Sequence, residues 1–151
     1  TSLEPALDNG FEVARALFSP SGDPIDPGSL HQNDLVVVLI EGKQTAAGRA
    51  QALVVDYLPA GLELENAKIG GEDLGAYAWL GELTGTEHVE LRDDRYIAAF
   101  DSSDRNGFRL AYLARAVTPG RFLQGGVRIE AMYQPAQFGR GAPATVIVSP
   151  R

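Results

Sequence analysis

The chain reads as an antiparallel β-sandwich of short strands with one short helical insertion. Three observations lead there. Apolar residues recur with a period of two along most of the chain, as in strands with one wet face. Seventeen glycines and nine prolines are spread as punctuation rather than clustered, which suits roughly eight or nine strands at hairpin spacing. Only one segment carries a helical period.

The elements follow in order. Thr1 to Gly10 is a lead-in, and residues 11–151 form a single domain. Phe11, Val13, Arg15 and Leu17 alternate with Glu12, Ala14, Ala16 and Phe18 as a first strand. Ser19 to Gly28 holds three prolines and two glycines and is loop. Leu35 to Ile40 is rich in β-branched residues and is the second strand. Gly42 to Gly48 turns the chain. Gln51 to Asn66, QALVVDYLPAGLELEN, is the centre. Ala52 to Val55 forms a buried strand, Pro59 and a positive-φ Gly61 make the corner, and a half-buried strand follows. Leu58, Leu62 and Leu64 belong to the core or its margin, and Glu63 and Glu65 face water.

Asp73 to Leu80 is the helical insertion. Leu74, Tyr77 and Ala78 fall at i, i+3 and i+4, with Trp79 beside them and Asp73 as the cap. His88–Arg92 and Arg95–Asp101 make a hairpin about Asp93-Asp94. Ser102 to Gly107 is a second turn, ending in Asn106-Gly107, a strong hairpin signal. Phe108 to Val117 is a long strand, stopped by Thr118-Pro119-Gly120. Val127, Ile129, Ala131 and Tyr133 share the face of another. Gln134 to Pro143 is loop, and Ala144 to Val148 is the last strand.

Composition excludes several kinds of function. At 151 residues the chain suits one domain that buries about 70% of its extended surface. It has no cysteine, so neither disulfides nor thiolate chemistry contribute. Its charge is −7, with arginines and lysines scattered singly, which argues against a nucleic-acid partner. No apolar run is long enough to insert in a membrane. No signal peptide opens the chain, so an exported protein would be present here as a mature or excised fragment.

The chemistry-bearing residues do not assemble into a site. His31 and His88 lie far apart, whereas zinc needs three or four ligands. Asp93-Asp94 and Asp101 with Asp104 lack the spacing of a calcium loop and read as turn residues. Ser29, Ser102 and Ser103 lack a nucleophile-elbow setting. Gly125-Gly126 precedes a strand and so cannot cradle a phosphate at a helix start. Tyr77 and Trp79 could stack a ligand, but such aromatics more often anchor a small helix. The residues alone point to no catalytic group, no metal and no cofactor. A sheet-edge binding module of the cell envelope fits that pattern.

Four stretches carry a resemblance. VVDYLPAGLELEN (Val54–Asn66), RDDRYIAAFD (Arg92–Asp101), YLARAVTPGRF (Tyr112–Phe122) and VRIEAMYQP (Val127–Pro135), in this order, resemble the C-terminal domain of bacterial alpha-2-macroglobulins. The resemblance implies a macroglobulin-type sandwich, the counterpart of the receptor-binding domain of the animal proteins. It implies a large periplasmic parent, lipid-anchored to the inner membrane, that traps proteases broadly and serves evasion of host defence. The partners so implied are other domains of the parent, target proteases, and other envelope proteins. In thioester-bearing members a tyrosine of this domain covers the thioester of another domain. Tyr133, with Met132, Gln134 and Pro135 around it, is the matching position.

Overall fold

The computed structural model describes residues 3–65 and 77–151. Fourteen strands are defined: β1 (Leu7–Asn9), β2 (Phe11–Phe18), β3 (Pro24–Ile25), β4 (Leu30–His31), β5 (Leu35–Gln44), β6 (Arg49–Tyr57), β7 (Leu62–Leu64), β8 (His88–Leu91), β9 (Arg95–Ser103), β10 (Gly107–Ala116), β11 (Gly120–Gln124), β12 (Arg128–Ala131), β13 (Gln134–Arg140) and β14 (Ala144–Ser149). A six-stranded sheet has the order β1-β13-β12-β6-β9-β8. A five-stranded sheet has the order β3-β2-β5-β10-β7, and a three-stranded sheet the order β11-β14-β4. The named strands pair antiparallel, except for the short parallel contact of β14 with β4, and an isolated parallel bridge joins Gly10 to Phe138.

The alternation read in the sequence sets the core. Phe11, Val13 and Leu17 of β2 point inward, as do Ala52 and Val54 of β6 and Ile129 and Ala131 of β12. Val146, Val148 and Leu30 of the small sheet join the same cluster. β5 behaves differently: Val36, Val38 and Ile40 enter this main cluster, while Val37 and Leu39 enter a second one on the opposite face. A strand covered on both sides reads as a continuous apolar run. Burying each such aliphatic side chain is worth about 1.5–3 kcal/mol.

The second cluster stands where the helical insertion was expected. The part from Asp73 to Ala76, with Leu74, lies outside the described residues. The described remainder is one 3₁₀ turn, Ala78–Leu80. It packs Leu80, Trp79 and Tyr77 over Val37, Leu39, Ala111 and Leu113. The Trp79 indole donates to the Pro20 carbonyl at 2.8 Å and its ring lies 5.4 Å from that of Phe18. Arg109 donates to the Leu80 carbonyl and pairs with Glu41. Trp79 is therefore an anchor of this covering segment, not an open stacking platform.

Other expectations are corrected by long-range pairing. Gln134 to Pro143 is largely strand, because β13 is held between β1 and β12. Pro135 is tolerated there: it lies beyond the end of β1 and beside a register shift at Glu130/Ala131, where a missing donor breaks no ladder. The lead-in contains β1. Gly42 lies inside β5, not in a turn. The second hairpin turns at Asp104-Arg105, and Asn106 is already bridged to Ser103. Thr118-Pro119-Gly120 ends β10, but Gly120 opens a further strand, β11, that the sequence reading left out. Gly61 needs no positive φ. A Cβ there would meet the Phe122 ring at 2.4 Å, so its role is to let β11 pack against the corner. Leu62 is buried, Leu58 and Leu64 are at the margin, and Glu63 is exposed, as expected. Glu65 departs from expectation: it is half-buried and pairs with Arg115 at 2.6 Å.

Candidate functional site

β12 and β13 are joined by Met132-Tyr133 alone, with Ala131 paired to Gln134. Neither turn residue adopts a positive φ. The turn therefore lacks the left-handed residues of the favoured two-residue hairpins. It is fixed by its neighbour strand instead: the Met132 N–H donates to the Gln51 carbonyl at 2.8 Å. Ala131 is the last inward residue of β12. Tyr133 continues its parity, but the chain has already turned, and the ring is 82% exposed. Met132, Gln134 and Pro135 are exposed beside it. The four residues singled out in the sequence thus sit together at one hairpin tip.

A groove of about 640 Å³ runs from Tyr133 and Gln134 past Gln51 and Ser102 to Phe108 and Asn106. The Ser102 hydroxyl is buried along it with no hydrogen-bond partner. An aromatic tip on a pinned hairpin beside an open groove can cover an apolar surface and present its hydroxyl at the margin.

The remaining candidates are dispersed. His88 bonds Glu90 at 2.8 Å on β8, and His31 lies beside Asp34. Asp93-Asp94 is an exposed turn, and the Asp104 carboxylate accepts from the Gly48 N–H at 2.9 Å. Asp101 pairs with Gln51. Among the described residues no three His, Asp or Glu side chains converge as a metal site would need. Neither histidine is bonded to Ser29, Ser102 or Ser103 among them.

One polar cluster escaped the sequence reading. Arg15 of β2 donates to Asp56 of β6 at 2.6 Å, and the Tyr112 hydroxyl of β10 donates to the other oxygen of the same carboxylate at 2.6 Å. The side chains of the ion pair are 7% and 0% exposed. Burial pushes the Asp56 carboxyl up, against the opposing pull of Arg15 and Tyr112. Burial also drives the Tyr112 phenol well up, with the Asp56 charge adding to it. Tyr96 stacks on Tyr112 at 4.6 Å and is raised by the same burial. The signal was present: Arg15 and Asp56 are opposite charges on the apolar faces of two strands. The cluster ties one sheet to the other across the core.

The sheet layout defines the class, an antiparallel β-sandwich domain. The profile of the bacterial alpha-2-macroglobulin MG10 domain matches residues 10–136, and the chain belongs to that family. It is 33% identical over 150 residues to the alpha-2-macroglobulin of Escherichia coli K12, covering 93% of this chain and 9% of that protein. Salmonella alpha-2-macroglobulin reacted with methylamine superposes with a TM-score of 0.85 at 33% identity, over 99% of this chain and 10% of that one. Trypsin-activated alpha-2-macroglobulin from Escherichia coli does so with a TM-score of 0.84 at 35% identity, over 99% and 11%. The chain therefore spans about a tenth of the length of these relatives.

Proposed function

We propose that this chain is the non-catalytic last domain of a larger bacterial alpha-2-macroglobulin. The parent is a periplasmic, inner-membrane-anchored inhibitor that traps proteases of many specificities. The domain contacts other domains of the parent and stabilises its native state. Tyr133 covers a thioester in one of them, with Met132, Gln134 and Pro135 completing the contact.

The observation that carries this reading is the Met132-Tyr133 turn. A large ring at 82% exposure loses water contact only against a partner, yet its backbone is pinned by β6. A covering ring protects an activated acyl bond simply by keeping nucleophiles and water away from it. The trypsin-activated and methylamine-reacted states of the relatives support a parent that meets proteases and small amines. The domain itself takes no chemical part in this reading, so hydrolysis of a peptide, ester or glycoside substrate that one substitution in this chain abolishes would overturn the non-catalytic role.

The test is Tyr133→Gly in the uncleaved parent. The domain keeps its fold, because the ring supports no core contact. Methylamine incorporation and free-thiol release should become faster than in the wild type. Identical rates would rule out the covering role.

A further inference from the structure

The two large sheets are not finished alike. The outer face of the five-stranded sheet is closed by the Tyr77–Leu83 segment and its cluster. The outer face of the six-stranded sheet has no hydrophobic cluster over it among the described residues. That face is nevertheless apolar at its centre. Leu53 stands opposite Ala99, and Val55 opposite Ile97. Cross-strand partners share a face, and Leu53, Val55 and Ile97 are only half-buried. Glu130 and Arg128 of β12 flank this centre on one side, and His88 and Glu90 of β8 on the other. Tyr57, 47% exposed, closes one end with the Arg95 guanidinium over its ring.

An apolar centre inside a charged rim is the anatomy of a protein interface. From this arrangement we infer that the outer face of the six-stranded sheet docks a neighbouring domain of the parent chain. This rests on the reading above that the chain is one domain of a larger protein. Three observations select that occupant. The relatives extend far beyond this chain, which spans 9% of the E. coli protein. The β12–β13 hairpin that lifts Tyr133 also supplies Arg128, Glu130 and Phe138 to this face, so the two contacts are continuous. Size separates the candidate occupants as well. Four strands by three residue pairs give about 19 Å by about 14 Å, or roughly 270 Å². Interfaces between domains of one chain start at about 600 Å² in total, about 300 Å² on each side, which this face reaches together with the adjoining Tyr133 hairpin tip. A freestanding dimer needs about 800 Å² on each side, which this face does not offer. The docking partner is thus a domain surface with an apolar centre, held at high effective concentration by its covalent link.

Hydroxyl-radical footprinting of the full parent, set against this chain alone, reads the face directly. Circular dichroism of the lone chain establishes that it is folded. Labelling of Leu53, Ile97, Phe138 and Tyr57 should be severalfold lower in the parent. Equal labelling would overturn the inference, and with Tyr133 still protected the function proposed above would survive. Loss of protection at Tyr133 alone would count against that function and leave this face intact. Protection that grows with concentration in the lone chain would mean a second copy binds there, which also overturns the inference. Should the lone chain not fold, Ile97→Glu in the parent carries the test. It should raise labelling of Leu53 and Tyr57 severalfold, and no change would overturn the proposal.

Discussion

The two faces of β5 and the two faces of β6 teach different things about the same strand chemistry. β5 is apolar at every position from Val36 to Ile40, because each side chain meets a cluster, one inside the sandwich and one beneath Trp79. β6 alternates, with Ala52, Val54 and Asp56 buried and Leu53, Val55 and Tyr57 only partly covered. A strand with both faces covered contributes stability on both. β6 has one covered face, and the half-buried apolar residues of its other face make up the surface proposed above to dock a neighbouring domain.

The comparison breaks most sharply at the place where the sheets are tied together. Arg15→Met leaves Asp56 as a buried carboxylate without its counter-charge. It should cost about 3–5 kcal/mol in urea unfolding. Because burial raises the Asp56 carboxyl, the native state takes up that proton at higher pH than the unfolded chain does. The stability that this protonation adds is fully present below the unfolded carboxylate pKa. It is lost as pH rises through the folded value and is flat above it. Stability of the wild type minus that of Asp56→Asn, followed from pH 7 downward, should therefore grow. A difference that shrinks instead would mean that Arg15 outweighs burial.

Next in size are the two clusters themselves. Leu110→Ala empties a site walled by both sheets and should lie at the upper end of the usual range of about 2–5 kcal/mol. Leu113→Ala lies under the Tyr77–Leu83 segment, which can settle inward, and should fall at the lower end, since the cost depends on how far the site collapses. Both side chains are 2% exposed, so equal losses would show the covering segment to be as rigid as a sheet. The smallest effect separates inside from outside within one short strand. Glu63→Ala should change stability by no more than about 0.5 kcal/mol, and Leu64→Ala by clearly more. Equal losses in urea would mean that the register of β7 is wrong.

Much of this was readable from the residues in order. Period-two alternation gave the inward sets of β2 and β12, because side-chain direction along a strand is a local property. The same local rule put Tyr133 at the exit of β12 and separated Glu63 from Leu62. It also put Arg15 on an apolar face, although the partner that makes such a position tolerable, Asp56, could not be matched to it. The family stretches pointed to a macroglobulin domain, and the profile match and the superpositions agree with that.

The rest depended on segments far apart in the chain. Leu7 pairs with Arg140, so neither β1 nor β13 has a local reason to be a strand. Gly139 lies in β13 because a Cβ there would sit 2.3 Å from the Phe11 carbonyl oxygen, a contact invisible along the sequence. Gly61 makes room for a ring that arrives with β11. Trp79 belongs to a covering segment because Val37, Leu39 and Leu113 offered it an apolar face to close. The sequence by itself determined which side of each strand would be apolar, since that follows from backbone geometry one residue at a time. Only the tertiary structure decided which strands meet and which apolar face is left open, because hydrogen-bond partners and covering side chains are supplied by distant parts of the chain.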